Sequence, residues 1–333
     1  MQSVASLLQT VFDHPSFQAV VRALAPPLAE SENSSASAAR RQHEITLAGL
    51  TRTAKALVIA GLAHRLKRPL VVLTAEREAT ETLRQTTAAF LDWLEPGSSA
   101  QASVLPWYDV TPYEGRSPHA QISEQRAITL WNISRGGARV VFAPSLSACG
   151  RFRDSVYYRS LALELKAGDE LSLDDLIEHL AGGGYEAHEP VDSAGVYSVR
   201  GGIADVYPPE VEWPFRLEFF GDQIETVRQF DPANQRSRQS VPSALILPLS
   251  EHRRSPELFR SMVRTLRERG GGPENGREPA WVPEYSAVFP GWEFFAPLGE
   301  ARSNTLFQLF KEPLIVWDEP AETVREMQSL RAA

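Results

Sequence analysis

The hydrophobic and polar positions follow two different rhythms. In the first, apolar runs alternate with stretches of helical period. ITLAGL from Ile45 reads as a short strand and Arg52–Leu66 as a helix. PLVVLTA from Pro69 is a continuous apolar run of the buried, parallel-sheet kind. A long helix over Glu76–Leu94, a short strand over Ser103–Pro106, a helix over Ile122–Ser134 and the strand ARVVFAP extend the series. Strands alternating with helices predict an α/β domain on a parallel sheet. Ahead of it, Leu7–Leu24 reads as helix interrupted at Pro15. Residues 26–40, polar, small and without period, read as a flexible linker.

The second rhythm runs from Gly195 to Asp231. This stretch is dense in β-branched and aromatic residues and predicts three or four short antiparallel strands. Gly201-Gly202 and Pro208-Pro209 separate the earlier runs, and Gly221-Asp222 forms a hairpin turn between FRLEFF and QIETVRQF. Period-two alternation puts Phe215, Leu217 and Phe219 on a core face. It puts Arg216, Glu218 and Phe220 on a solvent face, which Arg200 can reach from the preceding run. Exposed arginine beside exposed aromatic is the composition of a protein-binding hot spot. The bland alternative is that Phe220 covers the hairpin end while the arginines pair with Glu218 or Glu225. Upstream, Leu161–Lys166 reads as a strand. A helix follows, with Ser172 as its cap and Asp175 three residues on, ended by Gly182-Gly183-Gly184.

From Pro242 the α/β character returns with ALILP, a helix over Pro256–Arg269, an aromatic segment YSAVFPGWEFFAPL, the strand LIVWDEP and a final helix. The chain thus divides into residues 1–150, an inserted α+β domain at 151–241, and 242–333 completing the α/β domain. Its 333 residues suffice for two or three domains. Acidic residues outnumber basic ones 42 to 34, a net charge of −8, which argues against a whole-chain nucleic-acid binder. One cysteine, Cys149, makes neither an internal disulfide nor a cysteine zinc site. No metal-ligand spacing, secretory signal or membrane-length apolar run is present, so a cytoplasmic protein without membrane attachment is expected.

Two stretches carry candidate nucleotide chemistry. Residues 49–56 lie against the phosphate-loop pattern G-x-x-x-x-G-K-[ST]. Gly49 and Lys55 match, but Ala54 replaces the second glycine and Ala56 the magnesium-binding hydroxyl. Asp318 and Glu319 end an apolar strand as a Walker B strand would, but Pro320 follows. Both read as vestigial, with no catalytic residue, metal or cofactor expected for this chain. The loop after Val104 holds Trp107, Tyr108, Tyr113, Arg116 and His119. They suit either base stacking or packing of the loop, and Arg126 on the next helix suits either role too.

YSVRGGIADVYPP followed by PFRLEFFGDQIETVRQFDPANQRS resembles domain 2 of the bacterial transcription-repair coupling factors and, more distantly, the matching domain of UvrB. The resemblance implies a UvrB-like, P-loop-type parallel sheet with flanking helices, split by a small UvrA-binding domain with an antiparallel sheet. It implies UvrA contacts at Arg200, Arg216 and Phe220. Glu218 lies between two of them, placed to orient an arginine. The resemblance also implies further domains after the region seen here that bind RNA polymerase and DNA and use ATP and magnesium. The expectation is a recruitment module that brings UvrA to polymerase stalled at damage. The alternatives are an active UvrB-like ATP-dependent motor and a DNA-binding module without catalysis.

Overall fold

The computed structural model describes residues 4–25, 44–75, 77–112, 114–268 and 288–329. They form an α/β protein with a parallel sheet, flanking helices and separate antiparallel sheets. The chain groups into two units, one of Met1–Val104, Ala138–Ala148 and Lys311–Ala333, the other of Leu105–Gly137 and Cys149–Phe310. These limits differ from boundaries at 150 and 242: residues 105–137 and 242–310 group with the antiparallel unit.

In the first unit, four parallel strands lie in the order Leu314–Trp317, Leu70–Thr74, Val140–Pro144, Ala102–Val104. The two central strands are buried at every position, which is why they read as unbroken apolar runs. Helices Arg52–Leu66 and Arg77–Leu94 pack with the sheet in one core around Ile59, Leu70, Val72, Leu83, Leu91 and Phe142. Pro15 opens the helix Pro15–Leu24 at a position where its missing N–H costs nothing, and the preceding helix Val4–Phe12 stops before it. ITLAGL is not a strand. Both edges of Leu70–Thr74 are occupied, and Ile45 and Leu47 stay exposed with no strand to pair them. The helix expected from Glu76 is described from Arg77, and Glu76 lies outside the described residues.

In the second unit, a six-stranded sheet runs Ser237–Ser240, Gln223–Phe230, Phe215–Phe220, Ile203–Val206, Val196–Arg200, Glu186–Ala187. All pairs are antiparallel except the last. The helix Leu173–Gly183 closes its core face, with Leu176 and Leu180 against Ala204, Val206, Leu217 and Ile224. Ser172 caps its start as expected, accepting from the Asp175 N–H at 3.0 Å, but the reciprocal half of a capping box is replaced: the Asp175 carboxylate accepts from the Ser172 hydroxyl rather than from its backbone N–H. ALILP does not return to the parallel sheet. Ser243–Ile246 pairs antiparallel with Leu163–Lys166, because Ala244 and Ile246 are drawn into this unit's own core. Arg269, the last residue of the expected helix, and residues 285–287 of the aromatic segment lie outside the described residues. No helix among the described residues is long and apolar enough to cross a membrane.

Candidate partner-binding face

The strands Val196–Arg200, Ile203–Val206 and Phe215–Phe220 build the candidate face. The first two join through Gly201-Gly202, with Gly201 in the left-handed region at φ 57°. A Cβ on Gly202 would meet the Phe219 carbonyl oxygen at 2.8 Å, and the Phe219 N–H donates to Gly202 O at 2.7 Å. Only glycine permits that approach. Cross-strand register then sets Asp205 opposite Arg216 and Ser198. Ala204 and Val206, one step away, face the core.

Asp205 organises the face. Its side chain is 1% exposed and receives both arginines. Arg216 donates from Nε to Oδ1 and from Nη2 to Oδ2, each at 2.7 Å, a bidentate pair. Arg200 donates from Nη2 to Oδ2 at 2.9 Å and from Nη1 to Glu189 at 3.0 Å. Arg216 also donates to Gln235 O and Ser237 Oγ and lies over the Phe230 ring at 4.9 Å. The hydrogen bonds to Asp205 push its guanidinium further toward the charged form, against the opposing effect of burial.

The three expected contact residues therefore differ in what they present. Phe220 is 76% exposed, and the Arg200 side chain is 48% exposed, with its inner edge clamped. Arg216 is on the expected face, but its guanidinium folds onto Asp205 and its side chain is only 13% exposed. Glu218 does not orient Arg200 or Arg216: it accepts from Thr226 Oγ1 at 2.7 Å and lies 4.0 Å from Arg228. The orienting carboxylate is Asp205, which sequence reading missed. Its signal was a lone acid within a β-branched run, on the strand parity shared with Arg216 rather than with the core.

In the first unit, Thr51 caps the Arg52–Leu66 helix by accepting from the Ala54 N–H at 3.3 Å, and Gly49 adopts φ 76°. Lys55 Nζ donates to Asp318 at 2.6 Å and to Glu319 at 2.5 Å, so the structure brings the two candidate nucleotide stretches together. Burial pulls the Lys55 ammonium down, but its hydrogen bonds to Asp318 and then Glu319 overcome it and hold it above its usual range. Ala56 is fully buried in the core and offers no hydroxyl toward a metal. A phosphate approaching this turn meets a lysine already neutralised by two carboxylates.

The loop after Val104 packs inward within the second unit. The Tyr108 hydroxyl donates to Glu251, and Arg126 lies 4.5 Å over the Tyr108 ring. Arg126 is buried and bonds Glu251 from Nε at 3.0 Å and Nη2 at 3.1 Å, and Pro106 O from Nη1 at 2.5 Å. Arg116 pairs with Glu114, and His119 caps the helix Ala120–Ser134. Tyr113 lies outside the described residues.

Comparison with known proteins gives what the chain is similar to. The family described as UvrB interaction domain matches residues 163–252. The chain is 28% identical over 271 residues to a transcription-repair-coupling factor of Haemophilus influenzae, covering 80% of this chain and 23% of that protein. It is 31% identical over 213 residues to that of Myxococcus xanthus, covering 64% and 18%. It is 24% identical over 233 residues to UvrABC system protein B of Thermosipho africanus, covering 66% and 34%. The matched region thus spans about a fifth of the coupling factors' length and about a third of the UvrB protein's.

Proposed function

We propose, from the premise that this chain belongs with the UvrB-like region of the transcription-repair-coupling factors and carries their UvrB interaction domain, that it recruits the excision-repair protein UvrA to RNA polymerase stalled at DNA damage. The observation that carries the reading is the pairing of a clamped, half-exposed Arg200 with a Phe220 left in solvent at a hairpin end. Arg200 meets a carboxylate of the partner, Phe220 supplies apolar area, and Arg216 acts from beneath by fixing Asp205. RNA polymerase, DNA and ATP are engaged by parts of such factors beyond the matched region, and the protein acts in the cytoplasm.

Titration calorimetry against purified UvrA tests this. Arg200→Ala and Phe220→Ala each cost about 2 kcal/mol, roughly 30-fold in Kd, with circular dichroism unchanged. A wild-type chain that shows no heat of binding sinks the reading. The chain itself turns over no ATP: with Lys55 held by Asp318 and Glu319 and alanines at 54 and 56, phosphate release from wild type equals that from Lys55→Ala. Turnover clearly above that control establishes the motor reading instead.

A further inference from the structure

We infer that Ile203 is a further UvrA-contacting residue, which with Phe220 forms an apolar seat for one side chain of the partner; this rests on the UvrA-binding reading above. Ile203 opens the strand Ile203–Val206 and is 36% exposed. It stands directly opposite Glu218, so it shares a face with Phe220 two residues further along. Diagonal neighbours of this kind, about 7–8 Å apart, are within reach of an aromatic ring. Beside them on this face lie Gly201, which carries no side chain, and Glu218, whose carboxylate accepts from Thr226 Oγ1. The result is a small shelf over Gly201 bounded by Arg200, Ile203, Glu218 and Phe220.

Neither apolar side chain is a leftover of the core. Ala204, Val206 and Leu217 fill the opposite face completely, and the glycine contact with Phe219 fixes the turn that leaves the shelf open. Arg200 stands at the shelf's rim, held by Asp205 and Glu189. The occupant that fits is a UvrA segment with an apolar side chain beside a carboxylate. The apolar group sits between Ile203 and Phe220, and the carboxylate meets Arg200. The main chain of such a segment can lie close over Gly201, which presents no side chain to exclude it.

The test is titration of the full chain with purified UvrA, comparing wild type, Ile203→Ser, Ile203→Leu, Phe220→Ala and the Ile203→Ser/Phe220→Ala pair. Urea midpoints are measured alongside and should stay at the wild-type value for the Ile203 variants. Ile203→Ser weakens binding about tenfold and Ile203→Leu by less than about twofold. The double variant loses less than the product of the single losses, because both side chains serve one seat. If Ile203→Ser binds as wild type does while Phe220→Ala is impaired, the inference falls and the recruitment reading stands. If wild type does not bind UvrA, both fall. If sedimentation shows the wild-type chain self-associating through Ile203 and Phe220, the seat belongs to a second copy and the inference is overturned.

Discussion

Arg126→Met costs the protein about 3–5 kcal/mol of folding stability. Arg126 and Glu251 are both almost fully buried, and they meet through two parallel hydrogen bonds. Burial pushes the Glu251 carboxyl up, but Arg126, then His252 and Arg302, outweigh it and hold the group below the usual carboxylate range. Removing Arg126 takes away the largest of those opposing charges and leaves the Pro106 carbonyl without its guanidinium donor. A buried charge stripped of its partner is far more costly than the pair's net contribution. The check is urea denaturation at pH 7. Arg126→Met/Glu251→Leu should regain most of the loss, since an apolar pair of similar volume replaces an expensive ionic one. A single variant within about 1 kcal/mol of wild type would show that water already serves this pair.

The same cluster gives the protein an acid limit. Burial pushes Glu300 up, but its hydrogen bond to His252 at 3.0 Å and the charges of His252 and Arg302 hold it at about 2 against an ordinary 4.5. Its folded value is depressed, so the unfolded chain takes up protons first as pH falls. The stabilisation is fully present above about 4.5 and drains away toward about 2. Glu251 acts in the same direction. Unfolding free energy measured across this window should fall steeply for wild type and less steeply for Arg126→Met/Glu251→Leu.

What was legible in the chain follows from range. The buried strands Leu70–Thr74 and Val140–Pro144 and the hairpin at Gly221-Asp222 are set by neighbours in sequence, and their patterns declare them. The Ser172 cap is equally local. ITLAGL misleads because a strand exists only where it meets a partner, and the alternation of Ile45 and Leu47 says nothing about whether one is met; both stay exposed. Ser243–Ile246 misleads likewise: four apolar-rich residues suit either sheet, and only tertiary pairing assigns them to Leu163–Lys166. Phe220 was readable because period two fixed its face. Arg216 shared that face, yet its burial depended on Asp205, a partner visible only once strand register is known. The Arg126 cluster joins Tyr108, Glu251, Glu300 and Arg302, whose spacing in sequence carries no period at all.

Asp205→Ala removes the support under the whole proposed binding face, and it should cost both fold and affinity. Arg216 has four hydrogen bonds, two of them to Asp205, and keeps only Gln235 O and Ser237 Oγ when the carboxylate is gone. The expected destabilisation is about 3 kcal/mol, the lower end for a broken buried pair, because Arg216 retains some exposure. Arg200 loses its inner anchor and keeps only Glu189, itself largely solvated, so its guanidinium must be ordered anew when a partner arrives. UvrA affinity should therefore fall at least tenfold, or about 1.4 kcal/mol, at temperatures where the variant is still folded. Asp205→Leu/Arg216→Met separates the two effects. With the buried charge pair replaced by apolar groups, the urea midpoint should return toward wild type while binding stays weak, because nothing then holds Arg200 from within. If that double variant recovers stability and binds UvrA as wild type does, Asp205 supports the fold alone and Arg200 needs no clamp. If stability returns and affinity does not, the carboxylate beneath the face is what turns a mobile surface arginine into a preorganised contact.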